Sequence, residues 1–250
     1  MGYKLEGSVA VVTGAGRGIG KAVALGLAKK KVKVVIADLL LAEAERVVKE
    51  IEEMGGEALA VKVDVSREED VKAMAEKVLE KFGRVDIVVN NAAICPISPL
   101  EDTPAEEWDR VLAVNIKGPY LVIKTLLPAM KKQGGGRIVN MASVAGKMGA
   151  MVAGLHYTAS KAGIIAMGKV LARHCAPYGI TVNTVAPGPT ATEMTADWTE
   201  EEMARLTQNI PLGRYGTMEE IAAGVLYLVS EEASFVTGEC LDINGGLWMD

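Results

Sequence analysis

The chain has 250 residues, half of them apolar and 24% charged, with a formal net charge of -5. That composition belongs to a folded chain with a sizeable core, and its negative balance argues against an extensive surface for nucleic-acid phosphates. Apolar runs such as VAVVT and VKVVIAD are too short to cross a bilayer as helices, and the start MGYKLEGSVAVVTG carries no small-residue cleavage signal, so neither a membrane partner nor a secretory leader is expected.

Short β-branched runs alternate with longer amphipathic stretches along the whole sequence. The spacing predicts strands at 8–13, 32–37, 57–63, 85–90, 136–142, 180–185 and 239–243, separated by helices at 18–29, 40–54, 67–82, 105–131, 157–175, 200–208 and 217–230. Strand–helix–strand units of these lengths make right-handed crossovers rather than hairpins. The expected class is therefore α/β: a Rossmann-like, doubly wound parallel sheet with helices on both faces. No linker divides the sequence, which predicts one dinucleotide-binding and catalytic domain over residues 1–250, with a substrate-side loop and short helix around 188–210.

The first strand enters a glycine cluster, TGAGRGIGK. Gly14, Gly16, Gly18 and Gly20 permit a tight turn that brings backbone donors and a helix N-terminus toward an anion. A P-loop is excluded, because Ala15 stands where its first glycine belongs and Ala22 where its magnesium-binding hydroxyl belongs. What remains is G-x-x-x-G-x-G on Gly14, Gly18 and Gly20. Asp38 closes the second strand, where its carboxylate would accept from adenosine ribose hydroxyls and repel a 2′-phosphate, so NAD is favoured over NADP. Against this, Arg17 in the phosphate turn would assist a phosphorylated cofactor, and Asp38 would also serve as a simple strand-end cap. After the second helix, which Gly55 and Gly56 stop, Ser66 and Glu69 have the spacing of a capping box at the start of the third. Asp64 lies either beside adenine or in a turn cap, and the NNAA at 90–93 supplies groups beside the cofactor.

Asn115 interrupts an apolar helical stripe and requires a partner if buried. Ser143 closes the fifth strand before a glycine-rich loop, and Tyr157 and Lys161 share a helical face at four-residue spacing. A lysine ammonium beside a phenol favours the phenolate, which predicts a lowered Tyr157 pKa. His156 points about 100° away from Tyr157 around the helix, which leaves it a contact, capping or packing role, or a substrate contact. Ser143 has no G-x-S-x-G elbow, which argues against a hydrolase. Cys95, Cys175 and Cys240 are widely separated and odd in number, as expected for a reducing, cytoplasmic compartment. With two histidines and no CxxC or HExxH pattern, no metal site is expected.

Taken in order, TGAGRGIG, NNAA, Asn115, Ser143, YTASK, PGPTAT at 187–192 and VTGECLDINGG resemble the classical short-chain dehydrogenase/reductase family over residues 8–249. The resemblance implies that Tyr157 is the acid/base, that Lys161 orients the nicotinamide ribose, that Ser143 holds the substrate oxygen and that Asn115 supports a proton relay through water. It further implies Gly14, Arg17, Gly18, Ile19 and Gly20 around the pyrophosphate and Asp38 at the ribose. Asp64 and Val65 would meet the adenine, Asn91 and Ala92 line the cofactor, and Pro187, Gly188, Thr190 and Thr192 frame the nicotinamide. The reaction implied is hydride exchange between NAD(H) and a secondary alcohol or ketone, such as a sugar, a polyol or a small hydroxy compound, in a homotetramer. Leu247, Trp248 and Met249 are compatible with one of its interfaces.

Two departures from the family pattern bear on the substrate: Ala93 replaces the usual glycine, and the interval from Ser143 to Tyr157 is one residue longer than the commonest spacing. Pocket candidates are Ile94, Cys95, Pro96, Met148, Gly149, Met151, Leu155, Met194 and Trp198. Two alternatives stay open: an NADPH-dependent 3-oxoacyl-carrier-protein reductase, and a dinucleotide-binding structural or regulatory protein without turnover.

Overall fold

The computed structural model describes residues 4–150, 152–192, 201 and 207–249. Seven strands form where the β-branched runs lie: β1 (Val9–Thr13), β2 (Lys33–Asp38), β3 (Ala58–Lys62), β4 (Ile87–Asn90), β5 (Gly136–Met141), β6 (Ile180–Pro187) and β7 (Cys240–Ile243). All pairs are parallel, in the order β3-β2-β1-β4-β5-β6-β7. The chain winds outward from β1 to β3, returns to β4 on the other side of β1, and then winds outward to β7. That reversal opens a crevice beyond the carboxyl ends of β1 and β4, the place where such sheets bind ligands.

Side-chain alternation along each strand feeds two buried layers. Ala10, Val12, Val34, Ile36, Ile87 and Val89 pack against α1 (Gly18–Lys29), α2 (Leu41–Glu53) and α8 (Met218–Leu228). Val9, Val11, Val35, Val88, Ile138 and Val182 pack against α3 (Glu68–Phe82), α5 (Gly118–Gln133) and α7 (Leu155–Cys175). Each fully buried Leu or Ile, such as Leu27, Ile36 or Leu126, contributes about 1.5–3 kcal/mol from burial.

The helix expected at 105–131 is broken. α4 (Ala105–Leu112) passes through a π-helical turn, Ala113–Lys117, into α5. Asn115 sits in that turn and is 1% exposed, so its amide must be bonded inside the protein, and the widened turn carries it to its partners. The whole run Ala105–Gln133 has the length and apolarity of a membrane-crossing helix, but its Leu121, Val122, Leu126 and Met130 are buried in the layer against the sheet.

The capping box expected at Ser66 does not form. Asp64 is a stronger acceptor two residues back and takes both the Ser66 amide (2.9 Å) and its hydroxyl (2.6 Å), leaving Arg67 at the cap position of α3. A capping box appears instead at α8, where Thr217 Oγ1 accepts from Glu220 N at 3.2 Å and Glu220 Oε2 accepts from Thr217 N at 2.8 Å. Thr217→Ala is expected to lower stability by about 1 kcal/mol, read from the denaturant midpoint.

A one-turn helix, α6 (Ala145–Met148), occupies what the sequence suggests is loop. Gly146 explains its position: a Cβ there would lie 2.6 Å from the Lys161 carbonyl carbon and 2.7 Å from Ala162 N, so only glycine lets α6 seat on the backbone of α7. The helix expected at 200–208 lies almost wholly outside the described residues, as do Met151, Met194 and Trp198.

Candidate active site

The site is built on the turn after β1. Thr13 Oγ1 accepts from Asn91 N (3.1 Å) and Ala92 N (3.2 Å), while Asn91 Nδ2 donates to the carbonyls of Thr13 (3.1 Å) and Gly14 (2.9 Å). These bonds clamp the ends of β1 and β4 together at the crevice. Gly14 and Gly18 take left-handed φ angles of 62° and 57°. A Cβ at Gly20 would collide with the Gly14 carbonyl and lie 2.5 Å from Asn91 Nδ2. α1 starts with no side-chain cap and no acidic residue in its first turn, so its amide end can serve an anion. A glycine cradle beneath a bare helix N-terminus fits the pyrophosphate of a dinucleotide.

Asp38 holds this turn in shape. Its Oδ2 accepts from Gly16 N at 2.9 Å and its Oδ1 from Leu40 N at 3.0 Å, which places a carboxylate beside the phosphate turn. Leu39, Leu40 and Leu41 follow it as exposed residues and add no cation there, whereas Arg17 is exposed on the turn itself. Asp64 is the turn cap described above. Val65 is buried, and a Cβ at Gly118 would lie 2.8 Å from its Cγ2, so its side chain belongs to the α5 packing.

Beyond the strand ends lies a cavity of about 190 Å³. Ile19, Asn91, Ser143, Tyr157, Lys161, Pro187, Gly188, Thr190 and Thr192 all line it. Gly14, Arg17, Gly18, Gly20, Asp38, Asp64, Val65, Ala92 and Asn115 do not line it. Of the substrate candidates, Cys95, Met148 and Gly149 face it, but Ile94, Pro96 and Leu155 do not. Ala93 and Leu247 also line it, so Leu247 is spent on this wall, while Met249 stays 76% exposed.

Ser143 and Tyr157 line the same cavity, and the Ser143 hydroxyl lies near enough to the phenol to lower its pKa, so the longer interval between them does not separate them. The seating of α6 on α7 produces this approach, with Ser143 Oγ accepting from Ala145 N at 3.1 Å. Gly146→Ala is accordingly expected to lower kcat about tenfold or more by shifting Ser143, with little change in dinucleotide affinity measured by fluorescence.

Lys161 is 3% exposed, and its Nζ donates to the Met141 carbonyl at 2.7 Å, with the Tyr157 ring centroid 5.4 Å away. Burial lowers its pKa to about 8, against a smaller raising effect of Cys95. The expected lowering of the Tyr157 pKa is reversed: burial raises it well above the ordinary phenol value, Cys95 adds to this, and the nearby Ser143 hydroxyl opposes it. The reason is geometric. The Lys161 ammonium is engaged by a strand-end carbonyl rather than by the phenol, so desolvation of the phenolate dominates. Burial likewise raises the Cys95 thiol to about 11, with Lys161 pulling the other way.

Asn115 works as a brace. Its Oδ1 accepts from Ile94 N and its Nδ2 donates to Ile94 O, both at 2.9 Å, and Nδ2 also donates to Ser160 Oγ at 3.1 Å. The amide thus ties the segment after β4 to α7 one residue before Lys161. Thr13, Gly146 and Leu247 are the functional neighbours that sequence reasoning missed. Only Thr13, a hydroxyl at a strand end before the glycine turn, carries a local signal.

Residues 14–248 match the family profile described as enoyl-(acyl carrier protein) reductase. The fold superposes on a crystal structure of a short-chain type dehydrogenase/reductase from Mycobacterium marinum with a TM-score of 0.95 at 35% identity, covering 99% of this chain and 98% of that one. The chain is a classical short-chain dehydrogenase/reductase. Among its relatives in this family are an uncharacterized oxidoreductase of Thermotoga maritima (41% identity; 96% of this chain and 97% of that protein) and 3-oxoacyl-[acyl-carrier-protein] reductase FabG of the same organism (41%; 98% and 99%). A 3-oxoacyl-[acyl-carrier-protein] reductase of Synechocystis is 42% identical over 98% of both chains. As a short-chain dehydrogenase/reductase the protein is an oxidoreductase on a nucleotide-binding Rossmann fold, and this family uses NAD(P).

Proposed function

We propose that this short-chain dehydrogenase/reductase exchanges a hydride between NAD(H) and a secondary alcohol or its ketone, with Tyr157 as acid/base. The observation that carries this reading is that Ser143, Tyr157 and Lys161 line one cavity at the carboxyl ends of the strands. Gly14, Arg17, Gly18, Ile19 and Gly20 would hold the pyrophosphate, Asp38 the ribose, Asp64 and Val65 the adenine side, and Asn91 and Ala92 would flank the cofactor. Pro187, Gly188, Thr190 and Thr192 would frame the nicotinamide, which when bound supplies or accepts the hydride.

The chain's own groups manage the oxygen. Ser143 and Tyr157 converge on one point, so a carbonyl oxygen there receives two hydrogen bonds. The raised phenol pKa keeps the proton on Tyr157 at neutral pH, ready for transfer to the alkoxide formed in reduction, and Lys161 is cationic below about pH 8. Oxidation reverses the transfers. Ile97, Met141, Met148, Val152 and Leu247 give the cavity an apolar body, which favours a small hydroxy compound with an apolar portion over a sugar or polyol.

The names of the Thermotoga maritima and Synechocystis relatives support a second reading, NADPH-dependent reduction of a 3-oxoacyl thioester. Asp38 favours the first reading. One kinetic matrix separates them: NAD, NADP, NADH and NADPH against secondary alcohols, small diketones, cyclic ketones, a ketose and an acetoacetyl thioester. The first reading expects NAD(H) turnover with a small alcohol or ketone, whereas rapid NADPH oxidation with the thioester would replace it by the second. Tight NAD binding without turnover on any of them would point to a non-catalytic protein. We also propose homotetrameric assembly, supported by the exposed Tyr120 on α5 and Val170 on α7.

A further inference from the structure

His156 precedes the proposed acid/base in sequence yet has no place in the proton chemistry, and its surroundings are unusually well defined. Its side chain is fully buried. Nδ1 accepts from the backbone amide of Tyr157 at 2.8 Å, one of the first-turn amides of α7 that have no acceptor inside the helix. With Nδ1 accepting, the ring proton is assigned to Nε2, which donates to Glu107 Oε1 at 2.9 Å.

Glu107 stands in the first turn of α4, where the nearby Ser98 side chain, followed by His156, holds its carboxyl below the ordinary range. Ser98 belongs to the same short segment as Cys95 and Ile97, both of which line the cavity. The ring is closely enclosed as well: a Cβ at Gly154 would lie 2.8 Å from His156 Nδ1 and 3.0 Å from the Pro96 carbonyl, and the Trp108 ring is 6.5 Å from the imidazole. Gly154 is thus required for the imidazole to fold back over the start of its own helix.

We infer that Ser98, Glu107 and His156 form a positioning relay that fixes the backbone of Tyr157 against the cavity segment at residues 95–98. The inference rests on Tyr157 being the acid/base. His156 and Glu107 are positioning residues: neither lines the cavity, whereas Tyr157 does, as do Cys95 and Ile97 in the segment that holds Ser98. A buried imidazole with both nitrogens bonded holds its angle far better than an apolar side chain would, because any rotation leaves a buried donor or acceptor unpaired. Through the Tyr157 amide, that angle sets where the first turn of α7 delivers the phenol. Through Glu107 and the neighbouring Ser98, it reaches the segment that brings Cys95 and Ile97 to the cavity. Displacements of about 1 Å at such a point cost on the order of 100-fold in rate.

The test uses full-length protein with NADH and the fastest ketone of the matrix above, comparing His156→Ala, His156→Asn, Glu107→Ala and Tyr157→Phe. His156→Ala is expected to lower kcat about 10- to 100-fold with the NADH dissociation constant unchanged. His156→Asn keeps an acceptor for the Tyr157 amide and is expected to recover most of kcat. Glu107→Ala, which alters only the outer link and guards against a misfolded His156 variant, is expected to raise the ketone KM more than it lowers kcat. Wild-type kcat and KM in folded Glu107→Ala together with wild-type kcat in His156→Ala or, where that variant does not fold, in His156→Asn would overturn the relay, even with a lowered melting temperature. Undiminished turnover in Tyr157→Phe would instead overturn the acid/base reading beneath it, so the two failures are distinguishable.

Discussion

Tyr157→Phe is expected to lower kcat by about 10²- to 10⁴-fold, the range by which a positioned acid/base accelerates proton transfer. The substitution removes one hydroxyl and leaves the ring that lies 5.4 Å from Lys161 Nζ, so NADH affinity is expected to stay within about twofold, since neither the glycine turn nor Asp38 is touched. Ser143 remains in this variant the only hydroxyl of the pair facing the carbonyl oxygen. Single-turnover kinetics with NADH fluorescence separate the chemical step from binding. Turnover at the wild-type rate would remove Tyr157 from the acid/base role.

The second large effect concerns Asp38. A 2′-phosphate near its carboxylate would place like charges a few ångströms apart, a repulsion of about 4 kcal/mol at 4 Å in an intermediate dielectric. Water and salt screen part of this, so Asp38→Ala is expected to lower the NAD-to-NADP ratio of kcat/KM by about tenfold to a few hundredfold. Efficiency with NAD is expected to fall as well, because the same carboxylate orients Gly16 N and Leu40 N. Asp38→Asn serves as the control: it retains a side-chain acceptor and removes the charge. A ratio undiminished in both variants would assign cofactor choice elsewhere, with Arg17 the first position to test next.

The elements were legible in the sequence to within a residue or two wherever periodicity and breakers agreed, as for β1, α1 and α7. Reading failed where one residue's demand overrode a regular pattern. Asn115 turned an expected continuous helix into a π-interrupted one, and Asp64 took the serine that seemed set to cap α3. The short α6 escaped notice because its cause, the contact of Gly146 with the backbone of α7, joins residues that only the folded chain brings together.

Local spacing therefore determined the sheet and the glycine turn and put Tyr157 and Lys161 on one helical face, since strand alternation, helix period and turn chemistry act between near neighbours, while the roles of Ser143, Tyr157 and Lys161 came from the family resemblance of the motifs in order. The tertiary structure decided the state and support of those groups. Burial raised Tyr157 and lowered Lys161, a carbonyl at the end of β5 engaged the lysine, and Glu107, 49 residues from His156 in sequence, became the outer link of its hydrogen bonds. Desolvation and long-range hydrogen bonding depend on what surrounds a side chain in space, and a sequence records only what precedes and follows it.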